Sequence, residues 1–309
     1  MGQINILSTD GTHKAGLSFT GTSDISVDAG NIASKTELDS KPTGFKNYII
    51  NGGFDVWQRG TSFTTPNSQY TSDMWKFQCD GGTSTVSKDI NSGIAITNNT
   101  SSTGWVQLYT RLEGKNFRNF IYNKSTVTMT LSFNVWTSHN ENCVLYIVAP
   151  TSEDNYASTT TVVNQGFTLI AGNNYKTFTF TADVSAIKSG LHVTLVDSIG
   201  TAGQTIVWQK VQLEEGSVAT PFEQRPYGLE LSLCQRYYEA IGHPFFTGRV
   251  NGGGTSRLEV VFDVKKRTIP TLSSAGVFSV SDMYTADRLT INNPPITFSH
   301  ITTRGAYFE

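Results

Sequence analysis

Five histidines, His13, His139, His192, His243 and His300, are the first residues to test for metal or acid–base chemistry. None pairs with another at the i, i+2 or i, i+4 spacing by which one strand or helix grips a metal. His192 stands in an apolar strand and reads as a structural residue. The three cysteines, Cys79, Cys143 and Cys234, are isolated and odd in number, which fits neither a disulfide framework nor a thiolate metal site. They read as small buried apolar residues. Glycoside hydrolysis needs two carboxyl groups about 5–10 Å apart in space, a condition that spacing along the chain does not settle. Glu113, Asp183, Asp197, Glu214 and Glu215 stand singly or in turns, where solvation at the surface accounts for them. The glycine spacings of a phosphate-cradling loop, a nucleophile elbow and a dinucleotide fingerprint are absent. Gly252-Gly253-Gly254 lacks a flanking strand and helix and reads as a hairpin tip. Neither cofactor nor metal is expected, and no catalytic residue is assigned.

Binding is the chemistry that remains. Trp105, Tyr109, Tyr122, Trp136 and Tyr146 lie in or beside strand-like segments, and a flat exposed ring can stack on a sugar face. Most such rings fill cores; Tyr109 and Tyr122, flanked by polar neighbours, are the pair expected at the surface. Loop tips tolerate change while strands hold position, which points to 251–257 and 283–288 as contact regions, with Asn251, Arg257, Tyr284 and Arg288 as candidate ligand-binding residues.

The elements that must position these residues follow a period of two. Val127, Met129, Leu131, Phe133 and Val135 alternate with Thr128, Thr130, Ser132 and Asn134, as a half-buried antiparallel strand requires. Leu191, Val193 and Leu195 repeat the pattern, and Phe178 and Phe180 alternate with threonines. Residues 143–148 are continuously apolar and read as a central strand. In 205–213 the apolar phase slips between Ile206, Trp208 and Val211, Leu213, which predicts a bulge near Gln209. Eight or nine such segments separated by Gly, Asn and Ser turns predict an all-β, jelly-roll-like antiparallel β-sandwich, because one open sheet would leave an apolar face in water.

Three regions are expected: an extended N-terminal arm over 1–45, the sandwich over 46–227, and a helix with a small C-terminal β unit over 228–309. The arm is polar, with too few apolar residues to fold alone. In the helix, expected near 228–241, Leu229, Leu233, Tyr237 and Ile241 recur every four residues and make one apolar stripe, which packs across the sandwich or against a partner chain.

Composition excludes two partner classes. A formal net charge of -2 offers no basic field for phosphates, so nucleic acid is not expected. No run approaches the roughly 18 apolar residues of a membrane span, and residues 1–5 lack the charged and apolar regions of a signal peptide, so neither membrane insertion nor export by its own leader is expected.

Two strings carry a resemblance. The first is Asn47-Tyr48-Ile49-Ile50-Asn51-Gly52-Gly53-Phe54-Asp55-Val56-Trp57-Gln58-Arg59-Gly60 with Tyr70-Thr71-Ser72-Asp73-Met74-Trp75; the second runs from Val211 through Pro221-Phe222-Glu223 and Arg225-Pro226-Tyr227-Gly228 to Cys234-Gln235-Arg236-Tyr237-Tyr238. Over about residues 46–240 the chain resembles bacteriophage tail-fibre and related virion structural proteins that carry a carbohydrate-binding-like β-sandwich. Met74 stands where that family more often has Arg, so an ion pair from that position is not carried over. The C-terminal unit, with Lys265-Lys266-Arg267-Thr268-Ile269-Pro270-Thr271, resembles the strand pair that often follows.

The resemblance implies a virion component made in the host cytoplasm, commonly a homotrimer. It implies an arm over residues 1–45 docked to other virion proteins and a distal part that meets a host cell-surface glycan or receptor. Trimerisation would bury the stripe of Leu229, Leu233, Tyr237 and Ile241. Three readings follow: a non-catalytic fibre that attaches to host glycan, an architectural head-fibre, decoration or baseplate-proximal subunit that makes only protein contacts, and a polysaccharide depolymerase. The scarcity of catalytic patterning favours the first.

Overall fold

The computed structural model describes residues 45–120, 124–198, 200–240, 258–271, 278–281, 288–291, 298–299 and 305–308. All of these residues belong to one unit of the chain, 45–309. The expected N-terminal arm lies outside the described residues.

Twelve strands in chain order build the main body: β1 (Ser62–Thr64), β2 (Gln69–Tyr70), β3 (Lys76–Asp80), β4 (Ser84–Lys88), β5 (Ile94–Asn98), β6 (Trp105–Glu113), β7 (Thr126–Thr137), β8 (Glu141–Ser152), β9 (Asn155–Leu169), β10 (Gly172–Asp183), β11 (Gly190–Ser198) and β12 (Thr205–Glu215). They form two six-stranded antiparallel sheets, ordered β1-β4-β5-β12-β7-β10 and β2-β3-β6-β11-β8-β9. The chain crosses repeatedly between the sheets, as in a jelly roll, and only β2-β3, β4-β5 and β8-β9 are consecutive strands within one sheet.

Alternation decides what lies between the sheets. Val127, Met129, Leu131, Phe133 and Val135 of β7 point inward and are buried, and so are Leu191, Val193 and Leu195 of β11 and Val106, Leu108 and Leu112 of β6. Phe133 is the hub, with its ring centroid 5.3 Å from Trp208 and 5.9 Å from Phe178. Each such ring or aliphatic side chain contributes about 1.5–3 kcal/mol by leaving water. The phase slip in β12 is a bulge: its pairing with β7 shifts between Gln209 and Gln212, and Lys210 takes a φ of 51°. Residues 143–148 are less central than expected, since β8 lies one strand from the edge and its Val144 and Tyr146 are half-exposed.

A hydrogen-bonded clasp joins the two ends of the sandwich. The backbone N–H groups of Lys46 and Asn47 donate to the Glu223 carboxylate at 3.1 and 3.0 Å. The Asn47 side chain accepts from Leu213 N–H at 3.0 Å and donates to the Val211 carbonyl at 3.1 Å. Arg225, its side chain 4% exposed, donates to the carbonyls of Asn47 and Ile49 and pairs with Glu230 at 3.1 Å. Glu230 in turn accepts from the Asn51 backbone. The Asn51 side chain holds Val56 and Asp73, and the Asn51 backbone carbonyl accepts from the indole of the fully buried Trp75 at 3.0 Å. The two strings of the resemblance, more than a hundred residues apart, are therefore the two halves of one network. Gly52 lies at its tightest point, where an added Cβ would stand 2.1 Å from the Val211 carbonyl oxygen. We expect Gly52→Ala to destabilise the sandwich by about 1–3 kcal/mol, seen as a lower melting temperature; an unchanged melt would show that the contact yields freely.

A one-turn helix, α1 (Val184–Ile187), is capped by Asp183, and α2 (Tyr227–Gln235) follows the clasp. The helix is shorter than the expected 228–241 because the chain tightens after Gln235, where Tyr237 and Tyr238 both bond back to the Cys234 carbonyl. Cys234 is buried, and Leu231, Leu233 and Tyr237 pack on the sandwich core, while Leu229 is half-buried. Leu233 and Tyr237 of the expected stripe thus make contacts within the chain. Ile241 lies outside the described residues.

Farther on, β13 (Leu258–Val261), β14 (Phe278–Ser281), β15 (Arg288–Ile291), β16 (Phe298–Ser299) and β17 (Gly305–Phe308) form a three-stranded sheet, β13-β17-β16, and a hairpin, β14-β15. Among the described residues no helix is long and apolar enough to cross a membrane.

Candidate functional site

Strand β6 builds the site. With Val106, Leu108 and Leu112 committed inward, Tyr109, Arg111 and Glu113 fall on the outer face. The register places Thr194 and Lys76 opposite Tyr109, and His192 opposite Arg111. Four other segments close around the end of this row. The β8–β9 hairpin brings Asp154 and Tyr156, α2 and its exit bring Cys234, Tyr237 and Tyr238, the loop after Trp57 brings Arg59, and the loop after Phe262 brings Arg267. With Tyr70, Asp73 and Met74 they line a cleft of about 230 Å³, room for one sugar ring.

Ion pairs hold the walls. Arg267 bridges Glu113 and Asp154 at 2.9 and 2.8 Å, and its backbone N–H bonds the Arg236 carbonyl at 3.0 Å. Glu113 also meets Lys115 at 2.5 Å and Arg236 at 3.4 Å. Burial alone would raise its pKa; Lys115, the Tyr237 hydroxyl and Arg236 outweigh that and hold the carboxyl below its ordinary value. Arg59 pairs with Asp73 at 2.5 Å, lies 3.4 Å above the centre of the Tyr238 ring and faces Tyr70 at 5.1 Å. Asp73 is raised by burial, against the lowering pull of the Gln58 backbone and Arg59. Arg111 stacks on Tyr156 at 4.6 Å and faces Tyr109 at 5.7 Å. The Tyr156 hydroxyl lies within hydrogen-bond reach of the Leu112 and Leu191 carbonyls, and burial raises its pKa. Burial, then the neighbouring Arg111, depresses His192 to about 4, so its ring is neutral near pH 7.

One expectation needs correcting: Tyr109 is 6% exposed and offers no open ring. Polar neighbours along the chain do not expose it, because His192, 4.6 Å away between ring centroids, covers it. The ring lies beside Arg111 and Lys76 rather than in the cleft lining. Tyr122, Asn251, Arg257 and Tyr284 lie outside the described residues; Arg288 begins β15, with its side chain undescribed. The carboxylates expected in solvent are corrected too, since Glu113, Asp197 and Glu214 are buried. Each has a partner to justify it: cations for Glu113, the Thr220 N–H and hydroxyl for Glu214 at 2.8 and 2.6 Å, and Glu141 for Asp197. Asp183 remains exposed as the α1 cap, and Glu215 pairs with Lys124.

The Asp197–Glu141 pair lies at the other end of β11, with Ser198 donating to Glu141 at 2.5 Å and His139 beside it. Burial and then the Glu141 charge raise Asp197 to about 8. At 4% and 7% exposure, neither acid is open to a polymer. Among the described residues no group of three or more His, Cys, Asp and Glu is placed to hold a metal. Two aromatics are exposed on the first sheet, Trp136 at 38% and Tyr175 at 58%, diagonal neighbours across β7 and β10. Arg59, Arg111 and Arg267 escaped the sequence reading; the signal within reach was the shared outer phase of Tyr109 and Arg111.

The chain matches no described protein family, and no curated protein matches it in sequence. Among solved structures it is similar to a CBM4 carbohydrate-binding module (TM-score 0.35, 18% identity, covering 54% of this chain and 100% of that one). It is also similar to the enzymatically active domain of bacteriophage CBA120 tailspike protein 4 (TM-score 0.35, 13% identity), covering 55% of this chain but 21% of that one. A third is the module TmCBM61, solved with beta-1,4-galactotriose (TM-score 0.32, 9% identity, 56% and 100%). At these scores and identities the likeness carries no argument about ligand or assembly.

Proposed function

We propose that this chain is a non-catalytic virion fibre component that holds a host-surface glycan in the cleft beside β6. The observation that carries the reading is the lining itself: Tyr70, Tyr156 and Tyr238 present rings with guanidinium groups against them, while all three lining carboxylates are engaged in ion pairs. Rings and fixed polar groups suit a polyhydroxylated ligand. Carboxyl groups tied to arginines are not free to reach a ligand as nucleophile or proton donor, which speaks against bond cleavage there. The virion setting rests on the two strings that form the clasp. Assembly as a homotrimer, anchored through residues 1–45, would multiply a weak contact into firm attachment.

Tyr70, 41% exposed, is the ring to remove. On a glycan array the full chain should bind a defined set of glycans, and Tyr70→Ala should weaken that binding about tenfold, as loss of a stacking ring does. A blank array, or binding indifferent to Tyr70, refutes the glycan reading; release of reducing ends from the bound glycan refutes the non-catalytic one. The architectural alternative draws its support from Trp136 and Tyr175, an exposed aromatic pair on a sheet face, which suits a protein partner. Under it, Trp136→Ala would impair incorporation into particles and leave glycan binding intact.

A further inference from the structure

The three arginines of the cleft are not equivalent. Arg59 has Asp73, and Arg267 has both Glu113 and Asp154. Arg111 is exposed, and among the described residues no carboxylate comes within salt-bridge distance of it. It is nonetheless held in place, with Tyr156 on one side at 4.6 Å and Tyr109 at 5.7 Å. Lys76, 6.0 Å from the same Tyr109 ring, likewise has no acid partner among the described residues. In the lining itself Arg59, Arg111 and Arg267 stand against the carboxylates of Asp73, Glu113 and Asp154, and Arg236 and Lys115 add two further cations at Glu113, an excess of positive charge on a chain whose net charge is -2. The opposite His192 is neutral and does not share that charge.

A guanidinium fixed against aromatic faces, with its edge in solvent and no internal acid, is prepared for a planar anion. Its forked N–H groups match a carboxylate in two parallel hydrogen bonds, and stacking on Tyr156 lowers the cost of ordering it. A neutral ligand would leave the group as it is, solvated and unpaired. We infer that the saccharide taken by this cleft is acidic, a uronate or another sugar bearing a carboxylate, with Arg111 as the residue that reads the charge. This inference rests on the reading of the cleft as a saccharide site. The cleft volume fits one acidic ring, with the rest of the chain of sugars lying outside along Lys76 and Gln107.

The test uses the full chain with short oligomers of galacturonate, glucuronate and mannuronate, each beside its carboxyl-reduced neutral twin, measured by calorimetric titration. At least one acidic member should bind about tenfold or more tightly than its twin, and high salt should erode that margin. Arg111→Met should abolish the preference, and Arg111→Lys, which keeps the charge and loses the fork, should retain part of it. Arg111 is exposed, so all variants should melt as the parent does. Acid and twin binding equally well in a Tyr70-dependent way would overturn the acidic specificity and leave the saccharide site standing. Binding of neither member of any pair would overturn both, and a preference that survives Arg111→Met would overturn the assignment to Arg111.

Discussion

Glu230→Ala should cost the sandwich about 3–5 kcal/mol, the loss that follows when one partner of a buried ion pair is removed. Glu230 accepts two contacts from Arg225 Nη1, at 3.2 and 3.1 Å, and one from the Asn51 backbone. Without it, a guanidinium whose side chain is 4% exposed keeps its charge and two carbonyl acceptors, but its nearest remaining carboxylate is Glu223 at 3.6 Å. The orphaned Asn51 N–H adds to the loss. Domains are stable by only about 5–15 kcal/mol, so the variant should approach unfolding at modest urea. Trp75 bonds the Asn51 carbonyl, and its fluorescence reports the clasp. The double variant Arg225→Met/Glu230→Met, which removes both charges, should recover much of the stability, because the desolvation penalty leaves with them. A single variant that loses less than about 1 kcal/mol would show that the clasp does not organise the sandwich. The same network explains why such strings of specific residue types occur there: asparagines at 47 and 51 each accept from backbone N–H groups through Oδ1 and donate to backbone carbonyls through Nδ2, a pairing that ionised Asp, which has no donor, cannot make.

What was legible beforehand was the part of the fold that repeats. A period of two over Val127 to Val135 states both the strand and its buried face, and a slip of phase between Trp208 and Val211 states a bulge. Tertiary placement was less accessible. The apolar beat of residues 229–241 suggests a longer helix than the nine residues found, because nothing local announces that Tyr237 turns toward Glu113 of β6. The site draws on positions from Arg59 to Arg267, and only cross-strand register brings Arg111 to His192 or the β8–β9 turn to Gly114. Nothing local announces the tertiary contacts of the run Lys265–Arg267, where Lys266 donates to the Gln235 carbonyl at 2.7 Å and Arg267 ties Asp154 to Glu113. Acids at strand ends, such as Glu113 and Asp197, looked solvated because the groups that neutralise or share their charge lie far along the chain. Alternation predicts which way a side chain points, but not what stands over it, and Tyr109 is the case in which that distinction decided the outcome.

Buried acid chemistry leads to the second large effect, a loss of stability as pH rises from about 6.5 to 8. Asp197 is raised by burial and by Glu141 to about 8 in the folded chain, against 3.8 unfolded. Between those values the folded state holds the proton more tightly, so its contribution is complete below the unfolded pKa and is lost as pH climbs to the folded one. His192 works against it in the lower part of the window: depressed to about 4, it adds stability as pH rises from 4 to 6.5. The lowered carboxyl of Glu113 acts only at the acid end, and the raised Asp73 acts in the same sense as Asp197. Above 6.5 the histidine is silent and Asp197 stands uncompensated. At up to about 1.4 kcal/mol per pH unit, the fall to pH 8 should be about 1–2 kcal/mol. The groups around the acid are Glu141, the Cys143 thiol at 4.0 Å, Ser198 and, beyond Glu141, His139; Lys176 adds a cationic influence on Cys143. Asp197→Asn keeps a donor toward Glu141 and cannot ionise, so its urea midpoint should be level between pH 6.5 and 8, where that of the parent declines. A parent midpoint that holds or rises over this interval, or a decline that persists in Asp197→Asn, would mean that the two carboxyls at this end of β11 do not share a proton in the folded chain.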